Sequence, residues 1–180
     1  SKAVFDGGDS LLASNGAYWS FFNDGTRHVT IVRAQLTSLS LNDMAAIWDH
    51  DSLSSGRGLQ LYVDDRDVFS RENVMTFSCN PFAFVARSAN DAVTADPFTV
   101  TARHEYGLAG NDAILRMDGT QVASVNSAAG PNTDANPNAP RIGAQQNNTG
   151  RRWFGPMWRI WTFTDLADTD IPTLEAAIAQ

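Results

Sequence analysis

The chain has 180 residues, 43% of them hydrophobic, a formal net charge of -7 and a pI near 4.7. That length supports one domain with a substantial core, and the acidic balance argues against nucleic acid or an anionic membrane as a partner, since both reward clustered positive charge. The single cysteine excludes an internal disulfide, and no apolar run approaches the roughly 18 residues of a membrane span.

In chain order, Ala3 to Phe5 and Leu11 to Ala13 predict short strands around the turn Asp6-Gly7-Gly8-Asp9. Asp6 and Asp9 are candidate calcium ligands; the simpler role for them is to close the turn through side-chain to backbone hydrogen bonds. Tyr18 to Phe22 is an aromatic plug ahead of the turn Asn23-Asp24-Gly25. Arg27 to Gln35 alternates as a central strand, with His28 as an ordinary half-buried strand histidine rather than a base. Met44 to Trp48 is a further strand, ending in Asp49-His50-Asp51, which reads as a loop of solvated charges or the rim of a sugar or metal site. On an extended strand end, Asp49 and Asp51 would share one side and His50 the other.

Leu59 to Val63 and Val74 to Cys79 alternate as strands, joined by a solvated turn at Asp64-Asp65-Arg66-Asp67 that lacks the spacing of an EF-hand loop. Phe82 to Arg87 and Phe98 to Glu105 follow. Ala113 to Met117, the Asp118-Gly119 turn and Gln121 to Val125 spell a tight hairpin. Ser127 to Pro140, with three prolines, is a long surface loop.

The stretch Arg141 to Phe163 holds three of the five tryptophans. It predicts a hairpin: Arg141 to Ala144, a polar loop from Gln145 to Gly150, and an aromatic strand from Trp153 to Phe163. In a regular strand Trp153, Met157, Trp161 and Phe163 would share one face, and Phe154, Trp158 and Ile160 the other, so both faces need cover. A short helix then closes the chain, with Asp170 as N-cap, Pro172 in the first turn and Ile171, Leu174 and Ile178 on one stripe. About a dozen short strands between turn signals and one terminal helix define an all-β, two-sheet antiparallel β-sandwich over residues 1-180.

Three stretches carry a family resemblance. Val4-Phe5-Asp6-Gly7-Gly8-Asp9-Ser10, the hairpin Leu115-Arg116-Met117-Asp118-Gly119-Thr120-Gln121-Val122-Ala123, and the sequence from Arg141-Ile142-Gly143 through Trp153-Phe154-Gly155 to the terminal helix occur in the order found in laminin-G-like and concanavalin A-like jelly-roll domains. The chain resembles that superfamily in its microbial or phage form, which implies a jelly roll serving recognition, adhesion or virion structure. An acid common in relatives after the position of Met157 is Trp158 here, so its role does not transfer.

Fold alone does not give function. Glucanases of this architecture carry Glu-x-Asp-x-Glu on a strand, whereas this chain has glutamate only at Glu72, Glu105 and Glu175; the Arg-x-Glu-Leu-Arg of alginate lyases is absent too. Retaining hydrolysis needs two carboxylates roughly 5 Å apart, for which alternate residues of one strand would be an economical source, and no strand here carries paired glutamates. The expectation is a non-enzymatic, lectin-like module with no required cofactor and calcium as the one candidate ion. Its partners would be a glycan or cell-surface polysaccharide and other protein subunits; a purely structural head-decoration or fibre role is the alternative. The expected ligand site is Asn147, Asn148, Arg151, Arg152 and Trp153, with an exposed Trp153 stacking on a sugar and Trp158 buried beneath the helix or at an interface. Ser1-Lys2 suits a chain made without a cleaved signal, and a virion or extracellular surface is the expected location.

Overall fold

The computed structural model describes every residue except 1, 14–18, 20, 23, 40–42, 51–57, 67–68, 80–83, 109–110, 131–138 and 146–150. Twelve strands lie in chain order: Ala3–Asp6 (β1), Leu11–Leu12 (β2), His28–Ala34 (β3), Met44–Asp49 (β4), Leu59–Asp64 (β5), Val74–Cys79 (β6), Phe84–Arg87 (β7), Phe98–His104 (β8), Ala113–Met117 (β9), Thr120–Val125 (β10), Arg141–Ile142 (β11) and Phe154–Thr164 (β12). One helix, Ile171–Ala179 (α1), follows a single 3-10 turn.

The strands form two six-stranded sheets, ordered β1-β12-β3-β8-β9-β10 and β2-β11-β4-β5-β6-β7, with every pairing antiparallel. Period-two alternation explains the packing. Val32, Ala34, Val100, Ala102 and Leu115 of the first sheet face Ala45, Ile47, Leu61, Val63, Met75 and Phe77 of the second in one buried cluster. The chain is therefore the all-β sandwich its patterning predicts. In the β9–β10 hairpin, Asp118 and Gly119 both have positive φ, 45° and 80°, as a two-residue turn that follows the strand twist requires.

Two expectations for the aromatic stretch fail. β11 and β12 do not form a hairpin: β11 joins β2 and β4 in the second sheet, while β12 joins β1 and β3 in the first. Just before β12, the Trp153 N–H donates to the carbonyl of Gly143, which directly follows β11, at 2.9 Å. The faces of β12 also break parity. Met157 pairs with Ala34 but Arg159 pairs with Arg33, so Trp158 is the extra residue of a β-bulge. Met157 and Ile160 consequently both serve the inter-sheet core, and Trp161 and Phe163 turn outward.

That outward face is what the helix covers. Ile171 and Ile178, with half-buried Leu174, pack on Val29, Ile31, Trp161 and Phe163, so the predicted stripe is borne out but its target is not Trp158. Asp170 occupies the N-cap position without a side-chain capping bond. Buried Glu175 fastens the helix instead, its Oε1 accepting from Thr101 Oγ1 at 2.7 Å and Arg116 Nε at 2.8 Å. At the helix entry, Asp168 is held by Arg27 at 2.6 Å and Arg103 at 3.1 Å.

Candidate functional site

The helix closes the outer face of the first sheet, and the outer face of the second has no such cover among the described residues. Its side chains are fixed by alternation along β4 to β7. Leu59, Leu61 and Val63 point into the core, so Gln60, Tyr62 and Asp64 point out; Met75, Phe77 and Cys79 point in, leaving Thr76 and Ser78 on the outside. A bulge between Ala46 and Trp48 lets Ile47 and Trp48 both enter the core and returns Asp49 to the outer face.

Strand register arranges these residues in two transverse rows. In the first, Ala46, Tyr62, Thr76 and Arg87 are successive cross-strand partners, and the Ala46 N–H donates to the Arg151 carbonyl at 2.9 Å. Arginines thus stand at both ends of a row whose strands span about 15 Å, at roughly 4.8 Å per strand. In the second, Arg141, Asp49, Gln60, Ser78 and Val85 succeed one another. Asp49 is 1% exposed and Tyr62 7%. Asp49 accepts from Gln60 Nε2 at 3.3 Å, and Tyr62 is bonded to Ser78. Burial pushes the Tyr62 hydroxyl above its ordinary range, with the Ser78 bond opposing. Above this layer Gln60, Ser78 and Arg151 are half-buried, and Val85 and Arg87 are exposed. A buried polar layer orients a polar, arginine-flanked surface, and Met44, Ala46, Asp49, Gln60, Tyr62 and Arg151 line a small recess in it.

At the end of β5, Asp64 is buried and accepts from Arg66 Nε at 2.6 Å, from Arg66 Nη2 at 2.8 Å, and from Arg71. Burial alone would raise its carboxyl, but the two guanidiniums outweigh this and hold it below the carboxylate range. The expectation of a solvated turn at Asp64-Asp65-Arg66-Asp67 is corrected: Asp64 and Asp65 are buried, because partners on the same loop replace their water; Asp67 lies outside the described residues.

The expected ligand set divides. Arg151, with φ 53°, joins the recess on the second sheet. Arg152 donates to the Gly8 carbonyl instead. Trp153 is not a stacking platform: it is 0% exposed and packs edge-on to Phe98 at 6.2 Å, while Trp158 is half-exposed, the reverse of the expected arrangement. The cause is the crossing between sheets, which carries Trp153 into the end of the core. Asn147 and Asn148 lie outside the described residues. Asp6 accepts the Gly8 N–H at 2.7 Å, which is the turn-closing role; Asp9 is exposed, and no group of three or more His, Cys, Asp or Glu suited to a metal occurs among the described residues. Asp49 and His50 are buried rather than solvated, facing opposite ways as alternation requires, with His50 5.3 Å from the Phe22 ring. Sequence reasoning missed Gln60, Tyr62, Ser78 and Arg87. Their signal was present in the polar parity of β5 and β6, but nothing in one strand says which of two sheets it joins.

No protein-family model and no curated protein matches the sequence. Among solved structures, the chain is similar to the CBM40 domain of the Ruminococcus gnavus IT-sialidase, with a TM-score of 0.66 and 13% identity over 93% of this chain and 96% of that one. It is similar also to the binding domain of botulinum neurotoxin DC in complex with SialylT (TM-score 0.62, 14% identity, 97% of this chain and 42% of that one). A third likeness is to a putative carbohydrate-binding protein from Bacteroides ovatus (TM-score 0.64, 10% identity, 97% and 46%). At such identities the likeness establishes the fold alone, a two-sheet β-sandwich.

Proposed function

We propose that this chain is a non-catalytic carbohydrate-recognition module whose ligand lies across the outer face of the second sheet. The observation that carries the reading is the two-layer polar face: buried Asp49 and Tyr62 orient Gln60 and Ser78, and Arg151 and Arg87 bracket the row. Side-chain amides and hydroxyls suit sugar hydroxyls, and guanidiniums suit a carboxylate. The ligand class that fits is an acidic glycan. The CBM40 domain likeness includes a form bound to alpha2,3 sialyllactose, which agrees with an acidic sugar.

The recess is too small to enclose a sugar ring, so the ligand rests on the surface, as a recognition module requires and a hydrolytic cleft does not. This reading needs no cofactor and no acid-base pair, and it suits a protein presented at an extracellular or virion surface. The second reading, a subunit of a larger assembly, is favoured by one observation: β1 and β2, each an edge strand of its sheet among the described residues, expose Val4 (60%), Leu11 (53%) and Leu12 (59%).

A glycan-array screen of the protein and of Arg151→Gln separates the two. Binding confined to acidic glycans and lost in the variant supports the module; a glycan-blind oligomer supports the assembly.

A further inference from the structure

The bulge at Trp158 builds a second site, on the opposite side of the sandwich from the glycan face. Because the register shifts there, Arg159 of β12 stands directly opposite Arg33 of β3. Like charges in that position repel, and natural sheets usually place opposite charges or neutral pairs there. Among the described residues no carboxylate side chain forms an ion pair with either. Arg33 donates to Thr99 Oγ1 at a long 3.5 Å and Arg159 to the Ala177 carbonyl at 3.1 Å. By contrast Arg27, Arg66, Arg71, Arg103 and Arg116 are each matched to an acid. Other arginines of the described residues also lack an acid, but among the cross-strand pairs only here do two guanidiniums stand directly opposite each other.

The two arginines, with Pro97, Trp158, Ile178, Ala179 and Gln180, line a pocket of about 360 Å3. On the other side of Trp158 a second, more apolar hollow of about 290 Å3 runs between the sheet edges, lined by Phe5, Leu11, Ile142, Met157 and Ile160 among others. The two adjoin through Trp158 and Arg159, which line both. Lys2 lies over the Trp158 ring at 5.7 Å and adds a third positive charge at the junction.

We infer that Arg33, Arg159 and Trp158 form a binding site for a small carboxylate ligand with an apolar body. Its carboxylate lies between the two guanidiniums, relieving their repulsion through charge-assisted hydrogen bonds, and its apolar part lies along Trp158 into the adjoining hollow. Each guanidinium has five N–H donors and spends one on the contacts above, so donors remain for a bidentate carboxylate. The bulge is the device that creates the like-charge pair, since in a regular strand Trp158 rather than Arg159 would stand opposite Arg33.

The test is a titration of the labelled protein with 4-phenylbutyrate, and in parallel with the neutral 4-phenylbutan-1-ol, following the tryptophan indole N–H resonances; Trp158→Phe assigns the reporter by its disappearance. A saturable shift of the Trp158 resonance is expected, at least about tenfold weaker for the alcohol and for Arg33→Gln/Arg159→Gln. No saturable shift at millimolar acid, equal binding of acid and alcohol, or unchanged affinity in the double variant overturns the site. Should the double variant not fold, the acid-to-alcohol ratio on the unaltered protein decides alone.

Discussion

The two outer faces of this sandwich are built alike in backbone and oppositely in chemistry. The first carries Val29, Ile31, Trp161 and Phe163 and is closed by α1, with Glu175 and Asp168 locked to Thr101, Arg116, Arg27 and Arg103 at its margins. The second carries Asp49 bonded to Gln60, Tyr62 bonded to Ser78, Asp64 bonded to arginines of its own loop, and Thr76, whose hydroxyl donates to the Val74 carbonyl. An apolar sheet face must find cover, and the chain supplies its own; a polar face satisfied by its own side chains can stay available for a ligand. On the proposed reading the helix-covered part of the first face serves stability and the open second face glycan binding, so substitutions under the helix should move melting temperature and those on the second face glycan affinity.

The largest effect should come from the layer both faces share. Trp153→Ala removes a wholly buried indole and should cost about 3–5 kcal/mol, read from the denaturant midpoint. Half-exposed Trp158→Ala should cost no more than about 1 kcal/mol. Equal losses would mean that the crossing between β11 and β12 is misplaced.

On the covered face, Glu175→Gln leaves Arg116 without its carboxylate and weakens the bond to Thr101. A loss of roughly 1–3 kcal/mol is expected, with no change in glycan affinity. If affinity falls instead, the division between the faces is broken.

A pH dependence should arise at one end of the core, where the His28 and His104 rings lie 5.6 Å apart, tilted by 52°. Burial first, then the neighbouring His104, lowers His28 to about 3; burial first, then Arg103, lowers His104 to about 3. Both are neutral when folded and bind protons near 6.5 when unfolded, so their stabilising contribution is complete above that pH and is lost as pH falls toward 3. Going from pH 7 to pH 5 should cost roughly 1–2 kcal/mol per histidine, and His28→Gln should flatten the profile. A stability that rises on acidification would contradict the buried neutral pair.

Much of this was legible in the sequence. Val74 to Cys79 and Ala113 to Met117 are strands with the very bounds their alternation predicts, and the helix stripe of Ile171, Leu174 and Ile178 packs as amphipathicity requires. Which sheet a strand joins was not legible, because that is decided by long-range pairing: Arg141-Ile142 reads as the partner of the strand beyond it but pairs with Leu11-Leu12 and with β4. Nor was the bulge at Trp158, which inverts the parity of everything after it. Gly155 shows such a constraint after the fact. At φ 138° a Cβ there would meet the Gln35 carbonyl oxygen at 2.2 Å, so the aromatic-Gly step marks a close backbone approach that sequence shows only as a glycine. Trp153 was misjudged because its polar sequence neighbours suggest exposure, whereas the core it enters places the indole.

The smallest effect on stability should accompany the largest on function. Arg87→Gln and Arg151→Gln alter exposed or half-exposed side chains and should each change stability by less than about 0.5 kcal/mol. The direct test is calorimetric titration of the protein and of Arg87→Gln/Arg151→Gln with sialyllactose, and with lactose as the uncharged comparison. Saturable binding of sialyllactose in preference to lactose, weakened at least about tenfold in the double variant at unchanged melting temperature, is the predicted result. Full affinity in the double variant, or equal binding of the charged and uncharged sugar, would contradict an acidic-glycan site on the second sheet.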